Sequence, residues 1–426
     1  MMIVNIHKGG LLKNTLMLMG ATILAQLVLV ATQPFLRRVF SPEDFGAFGV
    51  ITSLSIILID ISTFRYEMAV VLPRRDQHAI NIFPIILAGA LFTSLAILII
   101  LLIGNSHISK IVGLAETHKN WMFFLPISVF LLSVYKFFNN WLIRRKAFLS
   151  NSINRASRRI VEGSIQILFS LLAKPLGLLI GEAMGNLANN ISGIFQAKKC
   201  GFDIREITLT RTRLMLKSYS DFPIYNSIPS LLNTASKLLP IVFISKNYTS
   251  YLAGQFDLVK LIFIVPVSLV GTAVSQVLLQ KISESVQQKQ RIMPVILSLI
   301  TVLSVISVFS ILIFRFYAEP FFVFFFGDNW IDAALFARIF VWSFAITFVV
   351  TPVSVVFAAT NRIKTGSLWQ FFYSVFVLVF LVFFDYQKGI HQFLIIYTTI
   401  NVVLYSLYLA LILRTAWLSD TKTLRH

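Results

Sequence analysis

The run GIHQFLIIYTTINVVLYSLYLALIL, residues 389–413, contains 25 residues without a charged side chain. A membrane-spanning helix needs about 20 consecutive apolar residues, so this run is long enough to cross the hydrocarbon core of a bilayer. Other charge-free runs qualify in the same way: residues 14–36, 261–280, 292–314, 339–361 and 365–384. The sequence therefore predicts a helical protein that crosses a membrane many times.

Less regular stretches complete the set of predicted spans. A helix is expected near residues 80–104, and the run that ends at residue 280 is expected to start near residue 251. Stretches of spanning length that charged residues interrupt are residues 45–65, 121–143, 150–172, 175–196 and 222–245. The total is about twelve transmembrane helices.

Composition agrees with a membrane protein and excludes several other classes. The 426 residues are 57% hydrophobic and only 13% charged, whereas about a quarter of the residues in a soluble domain are charged. A soluble enzyme, a disordered chain and a secreted disulfide scaffold are excluded. The single cysteine, Cys200, permits no internal disulfide, and the six histidines lack metal-ligand spacing. We expect no metal site, no cofactor and no catalytic residue, and the absence of a phosphate-binding Gly-Lys-Ser/Thr loop disfavours ATP hydrolysis.

The positive charge of the chain is explained by membrane topology. Lys and Arg number 37 against 18 Asp and Glu, a formal net charge of +19. With the N-terminus placed in the cytoplasm, the predicted inside segments hold 21 of these cations and the predicted outside loops hold 7. Because positive residues concentrate on the cytoplasmic side, both termini are predicted to be cytoplasmic, and no nucleic-acid partner is needed.

The two halves of the chain resemble each other. Around one offset of 208 residues, Phe40, Ser41, Gly46 and Phe48 match Tyr248, Thr249, Gly254 and Phe256. At an offset of 210, residues 82–87 match residues 292–297. These matches predict an all-α integral membrane protein of two six-helix bundles, residues 1–197 and 222–426. Residues 198–221 would form a basic cytoplasmic linker with an amphipathic helix on the membrane surface.

Basic residues inside the predicted spans are candidates for binding an anionic substrate. Arg155, Arg158 and Arg159 share one helix face with Glu162, and guanidinium groups suit phosphate and pyrophosphate. The alternative for Arg155 is that it reaches the cytoplasmic interface, since it lies near the start of its span. Three lysines at or near mid-span are further candidates: Lys136, Lys237 and Lys260. Three further arginines are interpreted as interface anchors: Arg65, Arg315 and Arg338.

Acidic residues inside the spans permit two interpretations. Asp60, Glu67, Glu162, Glu182 and Asp257 could each take up a proton or Na⁺ that drives transport. Alternatively, Glu162 pairs with Arg158 or Arg159, and Asp257 pairs with Lys260. Glu182 lies among small residues at every fourth position, a pattern that predicts close helix packing. These are Gly177, Gly181 and Gly185.

Short motifs give the chain a family resemblance. Arg37, Arg38, Phe40, Ser41, Pro42, Asp44, Phe45, Gly46 and Phe48 follow the first span, and Thr63, Arg65, Tyr66 and Glu67 precede the third. The second half adds residues 248–256, the stretch FIVPVSLVGTAVSQVLLQKIS, and Phe326 and Gly327 before Trp330. Together they resemble bacterial polysaccharide biosynthesis proteins. These are the Wzx-type O-antigen flippases of the multidrug/oligosaccharidyl-lipid/polysaccharide superfamily.

The resemblance implies a V-shaped inner-membrane flippase that moves undecaprenyl-pyrophosphate-linked oligosaccharide to the periplasmic leaflet. Its cationic cavity would be supplied by Lys136, Arg155, Arg158, Arg159, Lys237 and Lys260. Membrane lipids would surround it, and a polysaccharide polymerase and a chain-length regulator could associate with it.

The residues leave three alternative functions open. A multidrug exporter would be expected to line its cavity with acids, and a lipid II flippase usually has two more helices. A membrane polymerase or ligase typically has a large periplasmic loop, whereas the longest predicted outside loops are only residues 105–120 and 317–332.

Overall fold

The computed structural model describes Gln26 and residues 30–423, and these residues are almost entirely helical, without a β-strand. Two compact units divide the chain, with the boundary between Thr234 and Ala235.

Among the residues that the structure describes, the first unit contains nine helices and the beginning of a tenth, α10. They are α1 (residues 30–39), α2 (Pro42–Thr63), α3 (Tyr66–Ala69), α4 (Asp76–Ile80), α5 (Phe83–Ile111), α6 (Phe124–Arg144), α7 (Phe148–Leu171), α8 (Gly177–Lys199), α9 (Leu209–Ser218) and α10 (Ser227–Asn247). A 3₁₀ helix, Glu116–Phe123, precedes α6, and a short π-helix, Phe222–Asn226, precedes α10. The boundary between the units falls inside α10.

The second unit continues from α10. Its helices are α11 (Ser250–Gln287), α12 (Met293–Phe326), α13 (Ile331–Val353), α14 (Val356–Ala359), α15 (Ile363–Phe383) and α16 (Gly389–Thr423).

The protein is a multi-pass membrane protein. Within the described residues, 9 helical segments are long and apolar enough to cross a membrane. Helices α7 and α8, predicted from residues 150–172 and 175–196, are 24 and 23 residues long but are more polar. The first predicted span, residues 14–36, lies largely outside the described residues.

Residues matched between the two halves occupy the same positions in their helices. The Ser41 hydroxyl accepts a hydrogen bond from the backbone N–H of Asp44 at the start of α2. Thr249, 208 residues later, caps α11 in the same way through the N–H of Leu252. Pro84 and Pro294 both lie in the first turn of their helices, where a missing N–H costs nothing. The internal repeat is therefore confirmed at the level of helix starts.

The glycine stripe of α8 lets that helix approach α7 closely. A Cβ atom at Gly181 would lie 2.5 Å from Gln166 Cγ and 2.9 Å from the backbone oxygen of Glu162. At Gly185 it would lie 2.9 Å from the backbone oxygen of Arg158. The prediction of close helix packing is confirmed, because no larger side chain fits these positions without a shift of the helices.

Two predicted boundaries are wrong. Arg37 was expected in an outside loop, but α1 continues to residue 39 and the Arg37 guanidinium is buried 4.0 Å above the Phe45 ring centroid. The predicted loop 317–332 is helical as far as Phe326, where Gly327 ends α12 at a φ of 94°. In both cases the helix continues past the end of the apolar run. Backbone hydrogen bonds and the caps at its ends set the length of a helix, whereas the hydropathy of its side chains does not.

The predicted linker packs on the first unit. Phe202 and Met215 are buried, and both polar atoms of the Asn81 side-chain amide form hydrogen bonds with the backbone of the linker. Its Nδ2 donates to the backbone oxygen of Glu206 at 2.9 Å, and its Oδ1 accepts from the backbone N–H of Thr208 at 2.8 Å. Helix α9 lies in this linker, as the amphipathic pattern predicted.

Candidate functional site

A cavity of about 620 Å³ lies within the second unit, between residues of α10, α11, α13, α15 and α16. Among the described residues, the charged side chains on its wall are Lys237 and Lys260, and neither Asp nor Glu contributes to the wall. Both lysines were predicted as substrate-binding residues from their depth in the membrane. The structure brings these two together.

The two lysines project from neighbouring helices. Lys260 Nζ donates a hydrogen bond to the backbone carbonyl oxygen of Lys237 at 2.9 Å, which joins α11 to α10. The side chain of Lys237 is exposed to the cavity, and Lys260 is half-buried. Asp257 lies one turn before Lys260 on α11, and its charge acts on the Lys260 ammonium group. Two ammonium groups on a wall without carboxylates favour an anionic ligand.

Aromatic rings form the apolar part of the wall. Phe263 and Phe344 stack with their ring centroids 4.8 Å apart and an interplanar angle of 27°. Phe340 stacks on Tyr397 at 6.3 Å and 9°. The Tyr373 hydroxyl donates to Asn401 Oδ1 at 2.8 Å, so the polar atoms behind these rings are satisfied. The wall combines aromatic side chains with a few polar groups, which is typical of ligand cavities.

The first unit holds a charge cluster, formed by Asp60, Arg65, Glu67 and Lys136. Lys136 Nζ donates to Asp60 Oδ1 at 2.9 Å and to Glu67 Oε1 at 3.2 Å. Arg65 Nη1 lies 3.5 Å from the same Asp60 oxygen and 3.7 Å from the same Glu67 oxygen. Both carboxylates are at least 95% buried. With two cations and two anions, the charge cluster is formally neutral.

Helix α10 completes the coordination of Asp60. The hydroxyls of Ser230 and Thr234 donate to Asp60 Oδ2 at 2.8 and 3.0 Å. The turn that brings Arg65 to this cluster is left-handed, with φ values of 47° at Phe64 and 61° at Arg65. Such values are unfavourable for residues other than glycine, and the ion pairs of Arg65 offset that cost.

The charge cluster changes the interpretation of two predicted residues. Arg65 was expected to be an interface anchor, and that prediction is wrong, because its guanidinium pairs with two buried carboxylates. Lys136 was predicted to face a cationic cavity, but its ammonium is neutralised by Asp60 and Glu67. The sequence located these charges within or at the ends of the predicted spans without indicating which of them would meet.

The arginine stripe of α7 is largely paired with an acid on the same helix. Arg159 Nη1 donates to both carboxylate oxygens of Glu162, at 3.2 and 3.0 Å. Arg158 Nε lies 3.8 Å from Glu162 Oε2. The predicted pairing of Glu162 is therefore confirmed. Arg155 is half-buried and forms no ion pair with any other described residue.

Glu182 differs from the other acids because its hydrogen-bond partners are neutral. Its carboxylate accepts from the Ser128 hydroxyl at 2.8 Å and from Asn186 Nδ2 at 2.8 Å. Within the described part of the chain, Glu182 has no Lys or Arg nitrogen within 4.0 Å, and its side chain is almost completely buried. One turn beyond Asn186, the amide of Asn189 is buried without a hydrogen-bond partner among these residues. Glu182 therefore lies in a buried polar environment.

Several residues of these sites escaped sequence-based prediction. Ser230 and Thr234 bind Asp60, Ser128 and Asn186 bind Glu182, and a series of hydroxyls lines the cavity of the second unit. Ser and Thr are common in membrane helices, so residue type alone did not distinguish them. For the cavity hydroxyls, the helical spacing of Ser and Thr along α11 and α13 is the sequence signal that could have identified them.

The fold and cavity define a multi-pass α-helical membrane protein with the architecture of known transporters. An inward-facing multidrug resistance MATE family transporter of the MOP superfamily matches with a TM-score of 0.68 and 13% identity, covering 93% of each chain. The lipid II flippase MurJ in an inward closed conformation matches with a TM-score of 0.70 and 15% identity, covering 96% of this chain and 91% of MurJ.

A third structure is a MOP superfamily transporter from Pyrococcus furiosus, described as having a binding pocket of reverse polarity. It matches with a TM-score of 0.60 and 13% identity over 96% of each chain. At these identities the likeness concerns the fold.

The family itself follows from the sequence match. Residues 35–335 match the model of the polysaccharide biosynthesis protein family, which covers well over half of the chain. The chain belongs to this family, as the short motifs predicted. No curated protein matches the chain in sequence.

Proposed function

We propose that this chain is a flippase for undecaprenyl-pyrophosphate-linked oligosaccharide, an O-antigen or capsule-type repeat unit. The observation that carries the proposal is the cavity of the second unit, on whose wall the charged side chains are Lys237 and Lys260. Membership of the polysaccharide biosynthesis protein family and a fold that resembles those of membrane transporters support the proposal. A multidrug exporter for cations is disfavoured by the same two lysines.

The chemistry of the cargo suits this cavity. Pyrophosphate has no hydrogen-bond donor when ionised, and ammonium groups donate charge-assisted hydrogen bonds to it. The glycan would occupy the aromatic and hydroxyl-bearing part of the cavity, while the polyprenyl tail would stay in lipid. Binding must be weaker in the releasing state, because a site with equal affinity in both states shifts no equilibrium.

An ion gradient would supply the driving force. Asp60, Glu67 and Glu162 are held in ion pairs, and Asp257 interacts with Lys260, so uptake of a cation by any of them would compete with a bound ammonium or guanidinium. The hydrogen bonds to Glu182 come from neutral donors, and the Arg158 and Glu162 charges act on it only through space. We therefore favour Glu182 as the group that takes up a proton or Na⁺.

The same proposal includes the membrane context. The protein would lie in the bacterial inner membrane with both termini in the cytoplasm, and residues 1–197 and 222–426 would act as two bundles joined by the linker. Transport would involve no enzymatic step by this chain. A polymerase and a chain-length regulator would receive the cargo on the periplasmic side.

The test measures surface polysaccharide in cells in which this chain is the sole flippase. We expect wild type to restore surface glycan, and Lys237→Gln or Lys260→Gln to lower the rate by about tenfold, since each removes a charge-assisted hydrogen bond. Lys246→Gln is the matched control, because Lys246 is exposed at the end of α10 and is not part of the cavity wall.

Protein abundance in the membrane must be equal in all four strains. If surface glycan forms equally well without the protein, the flippase proposal is wrong, and drug efflux is the next activity to measure. If purified protein lengthens lipid-linked glycan in vitro, the chain is a polymerase instead.

A further inference from the structure

Hydroxyl side chains line the cavity at helical spacing on two neighbouring helices. Ser268, Thr272 and Ser275 follow one face of α11 at intervals of four and three residues. Thr347 and Thr351 follow one face of α13 at an interval of four, and Ser354 follows directly after the end of that helix. Residues at these intervals lie above one another on a helix. These six residues are called the hydroxyl track below.

The two series lie close to each other. A Cβ atom at Gly271 would lie 3.5 Å from Thr351 Cγ2, so α11 and α13 approach within contact distance here. The Ser275 hydroxyl donates across the same gap to the backbone oxygen of Pro352 at 3.3 Å. The hydroxyl track is therefore one continuous polar surface.

Hydrogen bonds within the helices leave the acceptor sites of this surface open. The Thr272 hydroxyl donates to the backbone oxygen of Ser268 at 2.7 Å, and Ser268 and Ser354 donate to backbone oxygens of their own segments. A hydroxyl has one donor and two acceptor sites. Once its hydrogen is used, it offers only lone pairs to the cavity. The side-chain hydroxyls of Thr347 and Thr351 have no hydrogen-bond partner among the described residues, although the Thr351 backbone oxygen accepts from Ser354, so these hydroxyls can both donate and accept.

A ligand that fits the hydroxyl track brings donors of its own, because four of the six hydroxyls have already used their hydrogen. Ionised pyrophosphate has none, whereas a sugar has several hydroxyl groups and often an amide N–H. The surface carries no charge, so it fits an uncharged, hydroxyl-rich portion of a ligand. Stacked aromatic side chains on the same wall present apolar faces that suit the C–H face of a pyranose ring.

We propose that the hydroxyl track binds the glycan of the cargo and discriminates between glycans, while Lys237 and Lys260 bind the pyrophosphate. This assignment rests on the proposed function and adds specificity-determining residues to it. The lysines are insensitive to the sugar, because every lipid pyrophosphate presents the same charge. The hydroxyl track reads the part of the cargo that differs between polysaccharides.

Binding to two related lipids tests this division of labour. The first probe is the lipid-linked oligosaccharide extracted from the host cell. The second is the undecaprenyl pyrophosphate that remains after mild acid cleaves the glycosyl phosphate bond. Full-length protein in lipid nanodiscs should bind the first probe more tightly. The double variant Thr272→Val/Thr347→Val should weaken binding of the first probe by about tenfold and leave the second unchanged.

The matched control is Thr301→Val on α12. The Thr301 hydroxyl is exposed and donates to the carbonyl four residues earlier, at 3.0 Å, as Thr272 does, but it is not part of the cavity wall. It should bind both probes as wild type does. Each variant must have the wild-type unfolding temperature. If one of the two substitutions in the double variant lowers it, Thr351→Val is used in place of that substitution.

The outcomes separate this inference from the proposed function. Equal binding of both probes by wild type, or an unchanged preference in the double variant, overturns the glycan assignment and leaves the flippase proposal standing. Failure of wild type to bind either probe overturns both. Loss of affinity for both probes in the double variant shows that the hydroxyl track shapes the cavity without reading the sugar, which also overturns the assignment.

Discussion

The two units use the same helix positions for opposite purposes. At the offset of 208 residues, Asp60 corresponds to Ser268 and Glu67 corresponds to Ser275. At the offset of 210 residues that applies from residue 82 onward, Lys136, which neutralises the two acids, corresponds to the uncharged Ile346. The first unit thus holds a closed charge cluster where the second unit has the wall of a cavity.

This difference follows from the chemistry of the side chains. The buried Asp60 and Glu67 carboxylates are stabilised by cations within a few ångströms, so Lys136 and Arg65 join them in a compact group. Hydroxyls are satisfied by their own helix and make no such demand. The backbone differs as well, because α2 ends at Thr63 and α3 starts at Tyr66, whereas α11 runs unbroken from Ser250 to Gln287.

The largest expected effect comes from breaking the charge cluster. Lys136→Met leaves Asp60 and Glu67 buried with only Arg65 as a cationic partner, and we expect it to lower the free energy of unfolding by about 3 kcal/mol. Thermal unfolding in detergent measures this. The charge-balanced double variant Glu67→Gln/Lys136→Met, which leaves Arg65 paired with Asp60, should recover most of the loss. A wild-type unfolding temperature for Lys136→Met would show that the charge cluster is not a structural element.

A smaller effect distinguishes the tight and open helix pairs of the two units. Gly181→Ala in the first unit should lower the free energy of unfolding by about 1–3 kcal/mol, because its Cβ would lie 2.5 Å from Gln166 Cγ. Gly271→Ala is the counterpart in the second unit and should be tolerated, since its nearest neighbour is at 3.5 Å. Equal losses in the two variants would contradict the difference in packing.

The smallest effect concerns the equivalent caps of α2 and α11. Ser41→Ala should cost about 1 kcal/mol and Thr249→Ala somewhat less. Ser41 also forms a reciprocal capping box, in which Asp44 Oδ2 accepts from the Ser41 backbone N–H at 3.0 Å. Chemical denaturation of both variants checks the order. A larger loss at Thr249 would mean that the two helix starts are not equivalent.

The sequence by itself determined the class of the protein, the helices and the repeat. These depend on local quantities: the length of an apolar run, the spacing of glycines, and a Ser or Thr before a helix. The family motifs are local in the same sense. The positions of the intramembrane charges were also readable, because a charge in an apolar run stands out.

The tertiary structure decided which of those charges meet. Lys136 and Arg65 were assigned to different roles from sequence, yet both pair with Asp60 and Glu67, which come from other turns and helices. Lys237 and Lys260 were assigned together and do line one cavity. Partner choice between cations and anions depends on distances of a few ångströms across helices, because the interaction energy changes steeply with separation at low dielectric constant. Helical periodicity fixes the face of a residue, but only packing fixes what lies opposite that face.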